Sequence, residues 1–324
     1  MNRRDALVVL ATAAVAGPHA AFAQPRTPRR VAWIWTGGPE RNVEVTRTAL
    51  AGAGFPAGRD LVFEVHVVEQ TDEAIRRVVD GIIAKGVDAL VAQGQVCPAV
   101  HRAVGGRVPT VVAFSGDVVA AGLVESLRRP GRRTTGVSFL ALELVGKRLE
   151  ILKELAPTAK RVGVLLNARH YGYQAELEET RAAAQRLGLD AEVFEIRGIE
   201  DFAGAYAAMA RARLSGVVLF PDATMTRAAK ETAAFALRER LPLVSGWAVF
   251  PQEGALASYG PDLGEAYRLV GGHYLARILR GEDPSTMPVE RPSRLYLVVN
   301  LRTANALGVA VPSSVLARAD EVIR

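Results

Sequence analysis

One order of elements occurs twice along this chain. Short apolar runs alternate with amphipathic stretches: Val31 to Trp35 reads as a strand, Asn42 to Gly54 as a helix, Leu61 to Glu69 as a strand, Asp72 to Lys85 as a helix and Asp88 to Ala92 as a strand. The order returns as strand Arg161 to Leu166, helix Gln174 to Leu187, strand Ala191 to Ile196, helix Ile199 to Ala212 and strand Gly216 to Phe220. The offset is nearly constant. Val31 and Val162 lie 131 residues apart, Asp88 and Gly216 128, Val108-Pro109 and Leu241-Pro242 133, and Gly122-Leu123-Val124 and Gly254-Ala255-Leu256 132. A unit of that size is too large for a solenoid repeat, and strand-helix alternation specifies a parallel sheet covered on both faces. The expected fold is therefore α/β, with two Rossmann-like lobes. With 324 residues, the chain has length for two cores.

After Tyr259 the chain continues for 65 residues. A helix from Asp262 to Leu279, an extended stretch from Pro284 to Asn300 and a short helix from Leu301 to Leu307 are expected there. A simple bilobal chain would end with its second sheet, so the surplus predicts a chain that crosses back and forth and forms a multi-strand hinge. The expected division is 1–23 as an address, 29–140 plus about 261–283 as the first lobe, and 141–258 plus about 284–324 as the second.

The address is read from Arg3 and Arg4, the uncharged run Ala6 to Ala16, and Ala21-Phe22-Ala23 before Gln24, the pattern of a secretory signal peptide. An apolar run of 11 residues reaches only about 16 Å as a helix, against about 30 Å for a bilayer core. Export to the periplasm is expected, by the general secretory or the twin-arginine route. No cysteine follows the run to carry a lipid anchor, so a freely diffusing, monomeric protein is expected.

Composition narrows the partners. The single cysteine, Cys97, cannot form an intrachain disulfide or a Cys/His zinc site, and it reads as an inert packed residue, with a reactive thiol as the alternative. The formal charge of +6 is spread along the chain, aromatic residues make up 6%, and no recognition motif is present, so nucleic acid is not an expected partner. No cofactor or metal is expected. The G-x-S-x-G elbow, the phosphate-binding loop, the G-x-G-x-x-G fingerprint and H-E-x-x-H are all missing from the sequence.

In open parallel sheets, ligands bind beyond the carboxyl ends of the strands, so two facing lobes present their strand-end loops to one cleft. In the first lobe these ends supply Trp35, Thr36 and Gly37, then Gln95, then Ser115 and Asp117. In the second they supply Asn167, Asp222 and Trp247, with Tyr259 where the chain crosses between lobes. Gln95 and Ser115 can donate hydrogen bonds, and Asp117 or Asp222 can pair with an ammonium group. Trp35 and Trp247 can floor a site for a planar ligand. Each has an alternative: a turn at Thr36 to Pro39, an Asx-turn or cap at Asp117, helix caps at Asn167 and Asp222, core packing for both tryptophans and a hinge role for Tyr259. His170, in the loop after Asn167, is the histidine best placed to join a cleft, although Ser115-Gly116-Asp117 has no base beside it in sequence.

Several segments resemble the substrate-binding proteins of ABC transporters, of the periplasmic type I class, in the branch with tryptophan- and phenylalanine-binding members. They are PTVVAFSGDVVAAG (109–122), LRRPGRRTTGVS (127–138), ELVGKRLEILKEL (143–155), SYGPDL (258–263), RILRG (277–281), Pro284 to Pro288, and the closing run from Val298 to Arg324. The sequence departs from that pattern at Ser245 to Phe250, where Trp247 stands in place of more polar residues. The resemblance implies lobes that close over a small ligand, an amino acid, an aromatic one among the candidates, or a small carboxylate. It also implies recognition by a permease and its ATPase in the inner membrane, with no chemistry on the ligand. A ligand-presenting sensor is the alternative on the same fold, and a small-molecule hydrolase a further one.

Overall fold

A computed structural model describes residues 27–324 apart from 59, 140 and 141; the address read at 1–23 lies outside the described residues. The first sheet has the order β2-β1-β3-β4-β5, formed by β1 (Arg29–Trp35), β2 (Leu61–Val67), β3 (Ala89–Gln93), β4 (Thr110–Phe114) and β5 (Thr134–Ser138). Every pairing in it is parallel. β1 is an inner strand, and its VAWIW run is apolar on both faces, as a strand covered on both sides must be. Period two then sorts its side chains. Val31, Trp33 and Trp35 pack with the helix Arg41–Gly52, while Ala32 and Ile34 pack with the helices Asp72–Ala84 and Cys97–Val104.

The second sheet has the order β12-β11-β10-β9-β8-β6-β7, formed by β6 (Arg161–Asn167), β7 (Asp190–Ile196), β8 (Gly216–Leu219), β9 (Leu243–Ser245), β10 (Ala257–Pro261), β11 (Leu295–Asn300) and β12 (Glu321–Ile323). It repeats the first up to β9. β10 and β11 are antiparallel and the other pairs parallel, because β11 belongs to the returning tail. The expected pair of α/β lobes with mostly parallel sheets is the observed architecture.

The tail explains the surplus length. After β10 the chain leaves the second sheet, and Ala266, Tyr267, Val270 and Tyr274 pack in the first lobe against Trp33 and Leu50. Contact there is tight: a Cβ on Gly271 would lie 2.2 Å from the Thr46 carbonyl oxygen, so only glycine lets these helices approach. The segment expected as one helix is the helix Leu263–Arg268, a wide π-helical stretch Leu269–Leu275 and the short helix Ala276–Leu279. The stretch expected to be extended from Pro284 begins as a 3-10 turn, and only Leu295–Asn300 is strand. Met287 and Val289 still pack in the first lobe, where the Thr135 hydroxyl donates to the Met287 carbonyl at 2.7 Å and Val137 bridges to Glu290. The return to the second lobe therefore follows 290 and not 283. Buried apolar side chains at Met287 and Val289 hold those extra residues back.

Candidate functional site

Both sheets have their switch point next to the first strand of each repeat, β1/β3 and β6/β8, and the loops there face one another. Between them lies a pocket with about 450 Å³ of space not filled by atoms, including the part open to solvent. The first lobe contributes Asn42, Gln93, Gln95 and Ser115, the second contributes Asp222, Thr226 and Trp247, and Phe139 and Tyr267 form apolar walls.

Asp222 follows β8 and caps the short helix Ala223–Arg227, its Oδ1 accepting from the Met225 amide at 2.7 Å. Its other oxygen accepts from Gln95 Nε2 of the opposite lobe at 2.8 Å. The two readings of this residue, cap and cleft group, both hold because a carboxylate has lone pairs for both. Burial pushes its pKa up to about 6, with hydrogen bonds from Met225, Asn167, Thr224 and Gln95 holding it down.

A second contact joins the lobes deeper in. Ser115 Oγ and His170 Nε2 are hydrogen-bonded at 2.6 Å, and His170 Nδ1 lies 3.4 Å from Glu176 Oε1. Nearby, the Tyr171 hydroxyl donates to the Ala120 carbonyl at 2.9 Å, and the Tyr171 ring packs on Phe114. A Cβ on Gly116 would come within 2.9 Å of the Tyr171 carbonyl oxygen, so the lobes approach here to backbone distance.

Serine, histidine and glutamate stand here in the order of a hydrolytic triad, but the electrostatics run the other way. Burial lowers His170 to about 4, which opposes its acting as a base that must become charged. Burial raises Glu176 to about 8, only partly offset by the Arg148 guanidinium, which disfavours the carboxylate that would stabilise an imidazolium. The cluster is built as a contact between lobes. Arg148, equally buried, donates through Nε to the Tyr259 carbonyl at 3.0 Å and ties this cluster to β10, where the chain leaves the second lobe.

Of the residues expected at the cleft, Gln95, Ser115, Asp222 and Trp247 line this pocket together. The others lie elsewhere. Trp35 is in the first-lobe core, edge-on to Trp33 at 6.2 Å, and Gly38 packs over its ring. Thr36 and Gly37 form the turn after β1, with φ of +93° at Gly37. Asp117 is exposed and its Oδ1 accepts from the Val119 and Ala120 amides, an Asx-type cap on an outer groove shared with Glu143 and Arg291. Asn167 is buried behind the pocket, accepting from the Arg169 amide and donating to Thr224. Tyr259 lies in β10, paired with Leu297 of β11. Cys97 is fully buried, its thiol directed at the Ala92 carbonyl at 3.1 Å and its pKa pushed up by burial.

Several lining residues fall outside the strand-end rule. Asn42 belongs to the first helix, not a strand end, and Tyr267 arrives with the returning tail. Gln93, by contrast, obeys that rule as the last residue of β3, and it was legible as the polar residue that closes the apolar run Ala89 to Ala92.

A family described as ABC transporter substrate binding protein matches residues 39–323. A tyrosine-binding protein of Clostridioides difficile (strain R20291) is 25% identical over 203 residues, which is 62% of this chain and 57% of that protein's length. Among solved structures, an ABC domain from Streptococcus pneumonia in complex with L-Trp has a TM-score of 0.80 at 21% identity, covering 92% of this chain and 100% of that one. A conserved domain protein from Vibrio cholerae has a TM-score of 0.79 at 24% identity with the same coverage. The ligand-free, open structure of a Clostridium difficile substrate binding protein with adhesive properties has 0.65 at 22%, covering 92% and 99%. These structural likenesses establish the fold, and the family match spans nearly all of the described residues. By that match, with two lobes of mostly parallel strands facing across a pocket, the chain belongs to the ABC transporter substrate-binding protein family.

Proposed function

We propose that this protein binds a small ligand, an amino acid with an aromatic side chain or a small carboxylate, in the interlobe pocket, and presents it to a permease and ATPase in the inner membrane. The observation that carries this reading is the composition of the pocket wall. Polar groups from both lobes, Gln95 and Ser115 on one side and Asp222 on the other, converge between the apolar surfaces of Phe139, Tyr267 and Trp247. A ligand touching both walls favours the closed arrangement by its differential contacts, which is how a binding protein signals occupancy. The names of the relatives, an L-Trp complex and a tyrosine-binding protein, point to the same ligand class. Among the described residues no helix is long and apolar enough to cross a membrane.

A thermal-shift screen of amino acids, aromatic acids and other small metabolites tests the reading. A compound present at 100 times its Kd stabilises the protein by about 2.7 kcal/mol, a readily measured change in midpoint. A compound that shifts the midpoint of the wild type but not of a Trp247→Ala, Gln95→Ala double variant is the expected result. A silent screen together with turnover of an ester or amide would sink it.

A further inference from the structure

The pocket is unbalanced in a way that narrows the ligand within the reading just given, on which this inference rests. Among the described residues that line it, Asp222 is the only charged one, and no lysine, arginine or histidine side chain joins it there. Two of the uncharged groups, Gln95 and Gln93, lean in the same direction, while Asn42 brings an amide that both donates and accepts. Gln95 donates its amide NH2 to Asp222, which fixes the side chain's orientation and leaves Oε1 as an acceptor, and that oxygen is buried without a partner among the described residues. Gln93 Oε1 is buried and unpartnered among them as well. Both glutamines are 8% exposed. Two of the hydroxyls are committed already, Thr226 donating to the Asp222 carbonyl at 2.9 Å and Ser115 bonded to His170.

Buried acceptors without donors are costly, and a native protein retains them where a partner arrives from outside. Here the missing partner carries several N–H groups and positive charge. A carboxylate would find no cationic side chain in this wall and would be desolvated against Asp222.

We propose that the pocket is a site for a primary ammonium group on an aromatic skeleton, and that the amine, not the carboxylate, is the recognised group. The ammonium sits between Asp222 and the glutamine oxygens, with three N–H donors to share among them, and the ring packs between Phe139, Tyr267 and Trp247. Arylalkylamines are therefore ligands in their own right, and aromatic amino acids bind through the same amine. Burial already disfavours the Asp222 carboxylate, and a cation against it relieves that penalty.

The test is titration calorimetry of the mature protein with three matched series: tyramine and tryptamine, tyrosine and tryptophan, and the des-amino acids 3-(4-hydroxyphenyl)propionate and indole-3-propionate. The expected result is amine binding within about tenfold of the parent amino acid, with the des-amino acids at least about 100-fold weaker. Asp222→Asn, which keeps a side chain able to cap the helix, should weaken amine binding at least about tenfold while the melting temperature holds. Des-amino acids that bind while the amines do not would overturn the proposal and leave the interlobe binding site standing. If none of the six compounds binds, the proposal falls; the wider metabolite screen then decides separately whether the pocket binds anything. Full affinity in Asp222→Asn would also overturn it.

Discussion

The Ser115–His170 hydrogen bond joins the lobes without lining the pocket through its imidazole, so it separates closure from ligand contact. Opening the lobes would hydrate both groups, and the bond therefore contributes only to the closed state. A net contribution of about 0.5–1.5 kcal/mol for a neutral pair converts to an affinity loss of about two- to tenfold on its removal. His170→Ala also strands the Ser115 hydroxyl, in a residue only 6% exposed, and if water does not enter, the loss reaches about 3 kcal/mol. His170→Gln restores an acceptor near Ser115 and should recover most of the affinity. The sign with pH follows from His170 being lowered to about 4 by burial, against 6.5 when free. The closed state then binds fewer protons between those values, so the histidine's contribution is complete above pH 6.5 and declines toward pH 4. Asp222, raised to about 6, works in the opposite sense between 3.8 and 6, which is why the comparison must be wild type against His170→Gln and not wild type alone. Calorimetry with the compound found by the screen, at pH 5 and 7.5, measures the difference, and small-angle scattering of the same samples reports lobe closure. Affinity of His170→Ala within twofold of wild type, with unchanged scattering, would refute the role of this bond.

Other positions give independent checks. Gly116→Ala places a methyl group 2.8 Å from the buried Phe114 ring of its own lobe and 2.9 Å from the Tyr171 carbonyl of the other, so both affinity and the melting temperature should fall, read by calorimetry and thermal denaturation. Gly260→Ala puts its Cβ 1.8 Å from the Gly246 carbonyl oxygen inside the second sheet, and a stability loss above about 2 kcal/mol in urea is expected. Arg148→Met leaves the Tyr259 carbonyl without its buried donor and removes the guanidinium beside Glu176, and should cost about 1–3 kcal/mol by the same measurement. Glu176, raised to about 8 from 4.5, favours folding fully below 4.5 and loses that effect as pH rises through 8, so Glu176→Gln should flatten the decline in stability over that range. The buried thiol of Cys97 should not react with a thiol reagent until denaturant is added.

Periodicity along the chain was enough to determine the α/β class, the two lobes and the strand ends from which a site would be drawn, because strand and helix periods are local and survive in any sequence window. It carried one further signal: with Val31, Trp33 and Trp35 on one face of β1, period two already placed Trp35 in the core beside Trp33 rather than in a cleft with Trp247. The approach of Gln95 to Asp222, 127 residues away, and of Ser115 to His170, 55 away, was decided only by tertiary structure. So was the arrival of Tyr267 from the tail, and so was the division of polar strand-end residues into cleft groups and caps, Asp222 serving as both and Asp117 only as a cap. The physical reason is common to all of them. Whether a polar side chain turns inward to its own backbone or outward to a ligand depends on which donors and acceptors the opposite lobe brings within about 3 Å, and no local pattern in the chain encodes that distance.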